Sequence, residues 1–599
     1  MRVLTELSYR GQQTAALLAV ARGEAAPDLV IVGGTVADVY SGQWIQANIE
    51  VKGSRIAYVG PRDPRLGQDT QVLDATGRRV VPGYIEPHCH PWCLYNPVSL
   101  LEVALADGVT TLVYDNLPFY LTLGDAMSPI MDAARQLPAN IYWSVRIVSQ
   151  SPYAGERRQF SAGRLRRLLA RPDVLGVAEV TRWEAARMGD PAILRGLEAA
   201  RRLRKRVEGH MAGASSRRLP ALAACGFSSD HESINGREAL DRLRQGLWVM
   251  LRYSSLRPDL PKLLRELQGT VHHSGRLMLT SDGSSPSFYR SRGVLSGALE
   301  TAVEAGVAPI EAIRMATLYP ASFWGLDDEV GGLAPGRRAD INLLPEGGFR
   351  PETVICGGSA VARRGELIAP LPEFDWQGLG CRLSFAAPER WQEPALYAMP
   401  APASGREVRL PVMVFESTVI NRRQDLTLPA SDGIVSLGEK RGLVYAALLD
   451  RQLRWASYGI VGGLMSDLSG LATTFTTAMG MLVLGQDPRS MAAAAAEVAA
   501  MGGGMAMARE GQVAWRRPLA VLGMMHDGGF KECVSVEEEL AALAKGCGYP
   551  YHDILYTLVF LSCDFLPELR LTARGLWDVK EGRPVLAGRR LRTAGGREA

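Results

Sequence analysis

Histidine and cysteine are both scarce, at eight each in 599 residues. The cysteines are scattered singly with no C-x-x-C pair, and the closest two, Cys89 and Cys93, flank a turn. That usage excludes a disulfide framework and fits a reducing compartment. Neither sign of charge is in excess: 67 basic residues face 63 acidic ones, for a net +4. Bulk electrostatics therefore gives no reason to expect nucleic acid or a membrane surface as a partner. No run of about 18 apolar residues is free of charged or polar breaks, so no membrane span is expected. The opening MRVLTELSYRGQQTAALLAVARGE lacks the charged, apolar, small-residue succession of an export signal. A cytoplasmic protein is expected. The one basic run, RRLRKR at 201–206, lies at the end of a helical pattern, where cations complement the helix dipole.

With 47% hydrophobic and 22% charged residues the composition is that of a globular chain, long enough for three to four domains. Residues 29–61 and 332–368 read as short strands punctuated by Gly-Gly, Ser-Gly and Gly-Ser turns. Between them, apolar strands such as TTLVYDN, NIYWSVRIV, VLGVAEV, WVMLRY and RLMLTSD alternate with helical runs such as PAILRGLEAARRLRKR. That alternation over about 250 residues predicts an α/β fold: a (β/α)8 TIM-like barrel inserted in a small β-sandwich domain. Expected boundaries are 1–81 for an N-terminal helix and the first part of the sandwich, 82–331 for the barrel and 332–370 for the second part. A Pro-, Ala- and Trp-rich linker over 371–400 leads to a C-terminal α+β domain over 401–599. Apolar segments there leave room for packing between copies as a homo-oligomer.

In such a barrel, residues at the carboxyl ends of strands face the active site. His88 and His90 follow VVPGYIE, and residues two apart in extended chain share a face. Glu179 ends VLGVAEV, His210 ends RVEGH, His231 and Glu232 follow GFSSD, and Asp282 ends RLMLTSD. Each alone reads more simply as a packing, capping or ion-pairing residue. Together, half of the histidines and several acids fall at successive strand ends, and imidazole with carboxylate suits Zn, Fe or Mn. Cys89 should point to the opposite face and pack. His272 and His273 precede a strand and read as loop residues. His526 and His552 read as a loop and a helix-start residue. GGLMSDLSG, 462–470, lacks the context and Lys-Ser/Thr ending of a phosphate loop.

These residues, in this order, resemble the metal-dependent amidohydrolase superfamily, and within it the adenine deaminase family. The resemblance is carried by DLVIVGGTVADVYSG, PGYIEPHCH, DGVTTLVYDN, EGHMAGASSRRLPALAACGFSSDHES, REALDRLRQGLWVMLR, RMATLYPASFWGL, LAPGRRADINLL and LVFLSCDFLPELRLTARGLWDV. It implies a divalent, dinuclear centre of Mn, Fe or Zn, with His88 and His90 on the first ion and His210 and His231 on the second. Glu179 is the implied bridge, Asp282 the implied metal-contacting acid that moves protons, and Glu232 an acid that meets substrate or braces the site. The implied reaction is hydrolytic deamination of adenine, a small-molecule substrate, to hypoxanthine and ammonia. The chain departs from the family at PWCLYNP after the histidine pair, at Gly283, Ser284 and Ser285 after Asp282, and at TTAMG, 476–480. Hydrolysis of another cyclic amidine, lactam or amide is the alternative those departures raise, because polar groups facing the substrate set specificity. A non-catalytic metal-binding relative is the third reading.

Overall fold

The structure, a computed structural model, describes residues 9–268, 274–438, 440 and 442–591. His272 and His273 lie outside them. Eight parallel strands form one consecutive sheet: β1 (Tyr84–Cys89), β2 (Val109–Asp115), β3 (Asn140–Val145), β4 (Val174–Val180), β5 (Arg206–Gly209), β6 (Ser229–Asp230), β7 (Trp248–Arg252) and β8 (Leu277–Thr280). Their sequences show why. VTTLVYD of β2 and LMLT of β8 are buried at every position, as parallel strands covered by helices on one side and barrel packing on the other must be. The covering helices carry the complementary pattern. In Leu260–Leu267 the leucines at 260, 263, 264 and 267 form one buried stripe. Helix Pro191–Arg202 begins at Asp190, whose carboxylate accepts from the backbone of Ala192 and Ile193, with Pro191 in the first turn.

The barrel closes between β8 and β1 through side chains. Glu86, fully buried on β1, takes Thr280 Oγ1 at 2.6 Å on one oxygen, and Ser281 N at 2.9 Å and Oγ at 2.7 Å on the other. Burial pushes its carboxyl up to about 7 despite those hydrogen bonds. The seam therefore sits directly beneath His88.

The flanking β pieces form a single nine-stranded sheet. Its joint is Arg79–Pro82 running antiparallel to Ile341–Leu344, so residues some 260 apart become neighbours. Ile31, Ile49, Val80, Ile341 and Ile355 share its core. The sheet is anchored to the barrel by Tyr84 Oη donating to Phe349 O (2.8 Å) and Asn342 Nδ2 donating to Gly108 O (2.9 Å).

The C-terminal part builds a ten-stranded sheet and a three-stranded one, with the alanine-rich helix Pro488–Met501 packed on the larger. A segment after it, helix Ile554–Phe560 and the following turn, returns to the barrel mouth. Tyr556 Oη donates to Gly283 O at 2.8 Å, and Ser255 Oγ donates to Asp553 Oδ2 at 3.1 Å. His552 meets Thr418 Oγ1 at 3.0 Å, and Asp553 caps the helix. Cys89 is buried with its thiol directed at Val113 O, away from the histidines on either side of it. No helix among the described residues is long and apolar enough to cross a membrane.

Candidate active site

Every barrel strand delivers a polar side chain at or just beyond its carboxyl end. In order from β1 these are His88 with His90, Asp115, Arg146, Glu179, His210, His231, Arg252 and Asp282. All are buried or nearly so. The six residues singled out as metal-ligating gather in one place. Ligand-capable atoms of His88, His90 and Glu179 lie within 4.8 Å of one another, as do those of Glu179, His210 and His231, and those of His88, His231 and Asp282. Glu179 belongs to both of the first two groups. Its Oε2 is 2.6 Å from His210 Nδ1 and 3.2 Å from His231 Nε2, while its Oε1 is 3.6 Å from His90 Nε2. Asp282 Oδ1 reaches His88 Nε2 at 3.1 Å and His90 Nε2 at 3.2 Å.

The histidine pair is oriented from behind. His88 Nδ1 lies 2.5 Å from Glu208 Oε2, and His90 Nδ1 lies 3.1 Å from Asp115 Oδ2. Each carboxylate stands at ion-pair distance from one ring nitrogen, with the other, Nε2, toward the centre, an arrangement suited to orienting such rings. Glu208 precedes His210 by two residues on β5, so one strand serves both histidine sets. Trp92 packs against His90 with ring centroids 4.8 Å apart, and Phe565 from the C-terminal part packs edge-on against His210 at 4.9 Å.

Two further strand-end residues, Arg146 and Arg252, hold the acids. Arg146 donates from Nε to Asp115 Oδ2 at 2.8 Å and from Nη1 to the Glu179 carbonyl at 2.9 Å; its Nη2 bonds both carboxylates. Gln150 adds a donor to Glu179 Oε1 at 2.9 Å. Arg252 Nη1 lies 2.7 Å from Glu232 Oε1 and also bonds Asp282 Oδ2. Asp115, Arg146 and Arg252 stand in the strand-like runs TTLVYDN, NIYWSVRIV and WVMLRY, at the same strand ends as the histidines. Strand-end acids and bases are common ion-pair partners, and nothing in spacing separates the two uses.

Electrostatics follows from these contacts. Burial would raise the Glu179 carboxyl, but Arg146 and His210 outweigh it and hold it well below the usual range. Arg252 and His231 do the same for Asp282. Against its burial, Arg252 and the neighbouring histidines bring Glu232 down to about 2. Burial disfavours charged imidazole, yet Glu208 and Asp282 hold the His88 pKa well above its normal value, and Asp115 and Asp282 raise His90 to about 9. Asp115, Glu179, Glu208 and Glu232 are buried and Asp282 nearly so, with Arg146, Arg252 and the part-buried Arg257 paired against them. Carboxylate oxygens and imidazole nitrogens enclosed together match the donor set of a divalent cation site. His210 Nε2 is buried without a hydrogen-bond partner.

A second salt bridge sets the loops. Asp230 at the end of β6 bonds the Arg242 guanidinium, with both side chains fully buried, and accepts Met211 N at 2.6 Å. Arg242 Nη2 donates to Met211 O at 2.9 Å. The pair ties the turn after His210 to the strand before His231. Arg242→Leu leaves Asp230 enclosed without its cation, and the loss is expected to be about 3–5 kcal/mol. A chemical-denaturation midpoint unchanged from the parent would contradict this role. His526 lies on the loop beside the histidine pair's exit: its amide donates to Leu94 O at 2.6 Å, and its own carbonyl accepts from Asn96 Nδ2 at 2.8 Å.

Residues 79–361 match the amidohydrolase family, and residues 418–583 match the adenine deaminase C-terminal domain. "Putative adenine deaminase BH0637" of Halalkalibacterium halodurans is 34% identical over 583 residues, spanning 96% of this chain and 98% of that protein. "Adenine deaminase" of Moorella thermoacetica is 31% identical, spanning 96% and 97%. Among solved structures, a beta-aspartyl dipeptidase of Fervidobacterium islandicum AW-1 aligns over 58% of this chain and 99% of its own, at 18% identity and TM-score 0.46. The D-hydantoinase of a Thermus species aligns over 57% and 97%, at 14% identity and TM-score 0.43. Near-full-length identity to proteins of one kind, with both family regions present in order, gives the assignment: this chain belongs to the adenine deaminase family of amidohydrolases, hydrolases of carbon–nitrogen bonds.

Proposed function

We propose that the protein hydrolyses adenine to hypoxanthine and ammonia at a dinuclear centre held by His88, His90, Glu179, His210, His231 and Asp282. The observation that carries the reading is the placement of Glu179 between two histidine pairs, with Asp282 Oδ1 3.1–3.2 Å from the first pair. His88 and His90 would hold one cation and His210 and His231 the other, with Glu179 shared. A bound divalent pair, Zn, Fe or Mn, supplies Lewis acidity that lowers the pKa of water from 15.7 to about 7, so a nucleophile is available at neutral pH.

The rest is work for the chain's own side chains. Asp282 starts ionised, because Arg252 holds it low. Its Oδ2 is tied to Arg252, which leaves Oδ1 aimed into the site to take the proton of the attacking water. Water adds to the ring carbon bearing the exocyclic amine with one of its protons passing through Asp282 to the adjacent ring nitrogen, and Asp282 then carries the proton of the new hydroxyl to the departing amine. One C–N bond breaks, one C–O bond forms, and ammonia leaves. Glu232, pinned by Arg252 at 2.7 Å, braces this geometry and stays ionised. Phe565 and Trp92 give the site apolar walls that suit a flat heterocycle and exclude water.

Ammonia release from adenine by protein reconstituted with Mn, Fe or Zn in turn tests the reading. Release from adenine supports it. Inactivity on adenine with turnover of a hydantoin, dihydropyrimidine or another aminopurine would replace the substrate and keep the machinery. Inactivity on all, with all three metals, would sink the enzymatic reading.

Metal uptake should also release protons. Ligating imidazole is neutral, whereas His88, His90 and His210 all have raised pKa values, His90 at about 9. Around pH 7 the stripped protein therefore holds protons there that an incoming cation must displace. Affinity rises as pH rises toward about 9, where the contribution of His90 to proton release fades. Calorimetric titration in buffers of different ionisation enthalpy counts those protons. No release near pH 7 would contradict the raised values.

A further inference from the structure

The six residues assigned to the centre are not equally covered. His88, His231 and Glu179 keep only 0–2% of their side-chain surface exposed, whereas Asp282, His210 and His90 keep 14%, 10% and 9%. The approach to the centre therefore lies past those three. A row of rings from the C-terminal part spans it. Tyr556 stands at the His90 end: a Cβ on Gly283, φ +121°, would come within 3.2 Å of His90 and 3.4 Å of Tyr556 Oη. Phe560 follows, its ring centroid 5.4 Å from that of Tyr556, and Phe565 lies 5.8 Å further on. Phe565 reaches the His210 end, at 4.9 Å. Tyr556 is buried, but Phe560 and Phe565 are only part-buried. Phe565 thus combines contact with a ligand of the centre and ring surface left uncovered.

The turn that bears Phe565 is fixed to the barrel. Asp564 N donates to Gln150 O at 2.8 Å, and the Asp564 carboxylate pairs with Arg182. The Gln150 side chain donates to Glu179 Oε1 at 2.9 Å, so one residue joins this turn to the proposed bridging carboxylate.

All three stretches in which the chain departs from the adenine deaminase family meet the same row. Cys93 of PWCLYNP lies 3.9 Å from Tyr556 Oη. Gly283, just after Asp282, accepts from that hydroxyl at 2.8 Å. Thr476 and Thr477 of TTAMG both bond Ser562, Thr477 at 3.0 Å, three residues before Phe565. Changes far apart in the sequence converge on one structure at the mouth, while the ligand set is untouched. Groups that face the substrate decide which ring is accepted.

We infer that Phe565, backed by Phe560, packs against the ring face of the substrate and is a specificity-determining residue for it. The inference rests on the reading of the site given above and deepens it. Contact with an aromatic side chain favours a flat, conjugated ring such as adenine over a puckered dihydropyrimidine. Such contact stabilises ground and transition states alike, so its loss raises KM and spares kcat.

The test is calorimetric titration of adenine into the metal-loaded full-length Asp282→Asn protein, whose slow turnover permits an equilibrium measurement. Adding Phe565→Ala is expected to weaken adenine about tenfold or more, and Phe565→Tyr in its place to restore most of the affinity. In the otherwise parental enzyme, Phe565→Ala should raise KM for adenine by a similar factor with kcat within about threefold of the parent. Unaltered metal content and thermal midpoint separate a lost contact from a lost site or fold. Equal adenine affinity with and without the ring, or a tyrosine variant as weak as the alanine one, would overturn the inference and leave the proposed reaction standing. No adenine binding to Asp282→Asn itself would instead remove adenine as the substrate, and the inference with it.

Discussion

Asp282→Asn is expected to lower ammonia release from adenine by about a hundred- to ten-thousandfold while leaving most of the bound metal in place. Asparagine is the informative replacement for three reasons. It keeps the volume and an oxygen to face His88 and His90, which stand 3.1 and 3.2 Å from Asp282 Oδ1. It tolerates the left-handed backbone of this position, φ +62°, better than any other residue except glycine and aspartate, so it adds little strain. It cannot carry a proton between water and a leaving amine. Steady-state ammonia assays paired with metal analysis of the same sample check both halves. Parental turnover in the variant would remove Asp282 from the proton path. Loss of all metal would show instead that it is foremost a ligand.

Glu179→Gln should have the second largest effect. The side chain is almost fully enclosed, belongs to two of the three three-residue groups, and is held by Arg146 and Gln150. Glutamine preserves the shape but withdraws the negative charge that the two histidine sets share. It also places an amide donor near Arg146, whose guanidinium needs an acceptor. Second-sphere changes at metal sites already cost about 10–100-fold in affinity, so loss of a shared ligand should cost about a hundredfold or more. Metal per chain after dialysis, read by elemental analysis, should fall from two toward one or none. Two tightly held ions in the variant would rule out a bridging role. The same experiment on Arg146→Met separates charge from support: Asp115 and Glu179 would then be buried without their cation, and folding as well as metal content should suffer.

Much of this architecture is local information. The short runs of β2 and β8, rich in β-branched and apolar residues, read as strands buried on both faces, and the leucines at 260, 263, 264 and 267 repeat as the apolar stripe of a helix does. Two-residue periodicity alone is enough to put His88 and His90 on one side and Cys89 on the other. The ordered appearance of histidines and acids at strand ends pointed to one constellation, and those residues do gather.

Other features were beyond one-dimensional reading. Asp115, Arg146 and Arg252 sit at strand ends like the histidines, but an arginine in sequence carries no mark of whether it meets solvent or two carboxylates. Glu208 was visible inside EGH, yet only folding shows that its oxygen faces His88, 120 residues earlier, and not its neighbour His210. Phe565 and Tyr556 come from a different part of the chain, and their approach to His210 and Gly283 depends on how the C-terminal sheets dock.

The sequence by itself determined which segments are strands and helices, that they alternate, and which metal-ligating residue types stand at their ends. Backbone sterics and side-chain periodicity act over a few residues, and a few residues suffice to express them. Only the tertiary structure decided which acid meets which imidazole, which arginines neutralise the buried carboxylates, and what covers the barrel mouth. Those outcomes depend on distances of 2.8–3.1 Å between groups 194 and 273 residues apart. Closing the barrel and docking the C-terminal part create those distances, and no local pattern encodes them.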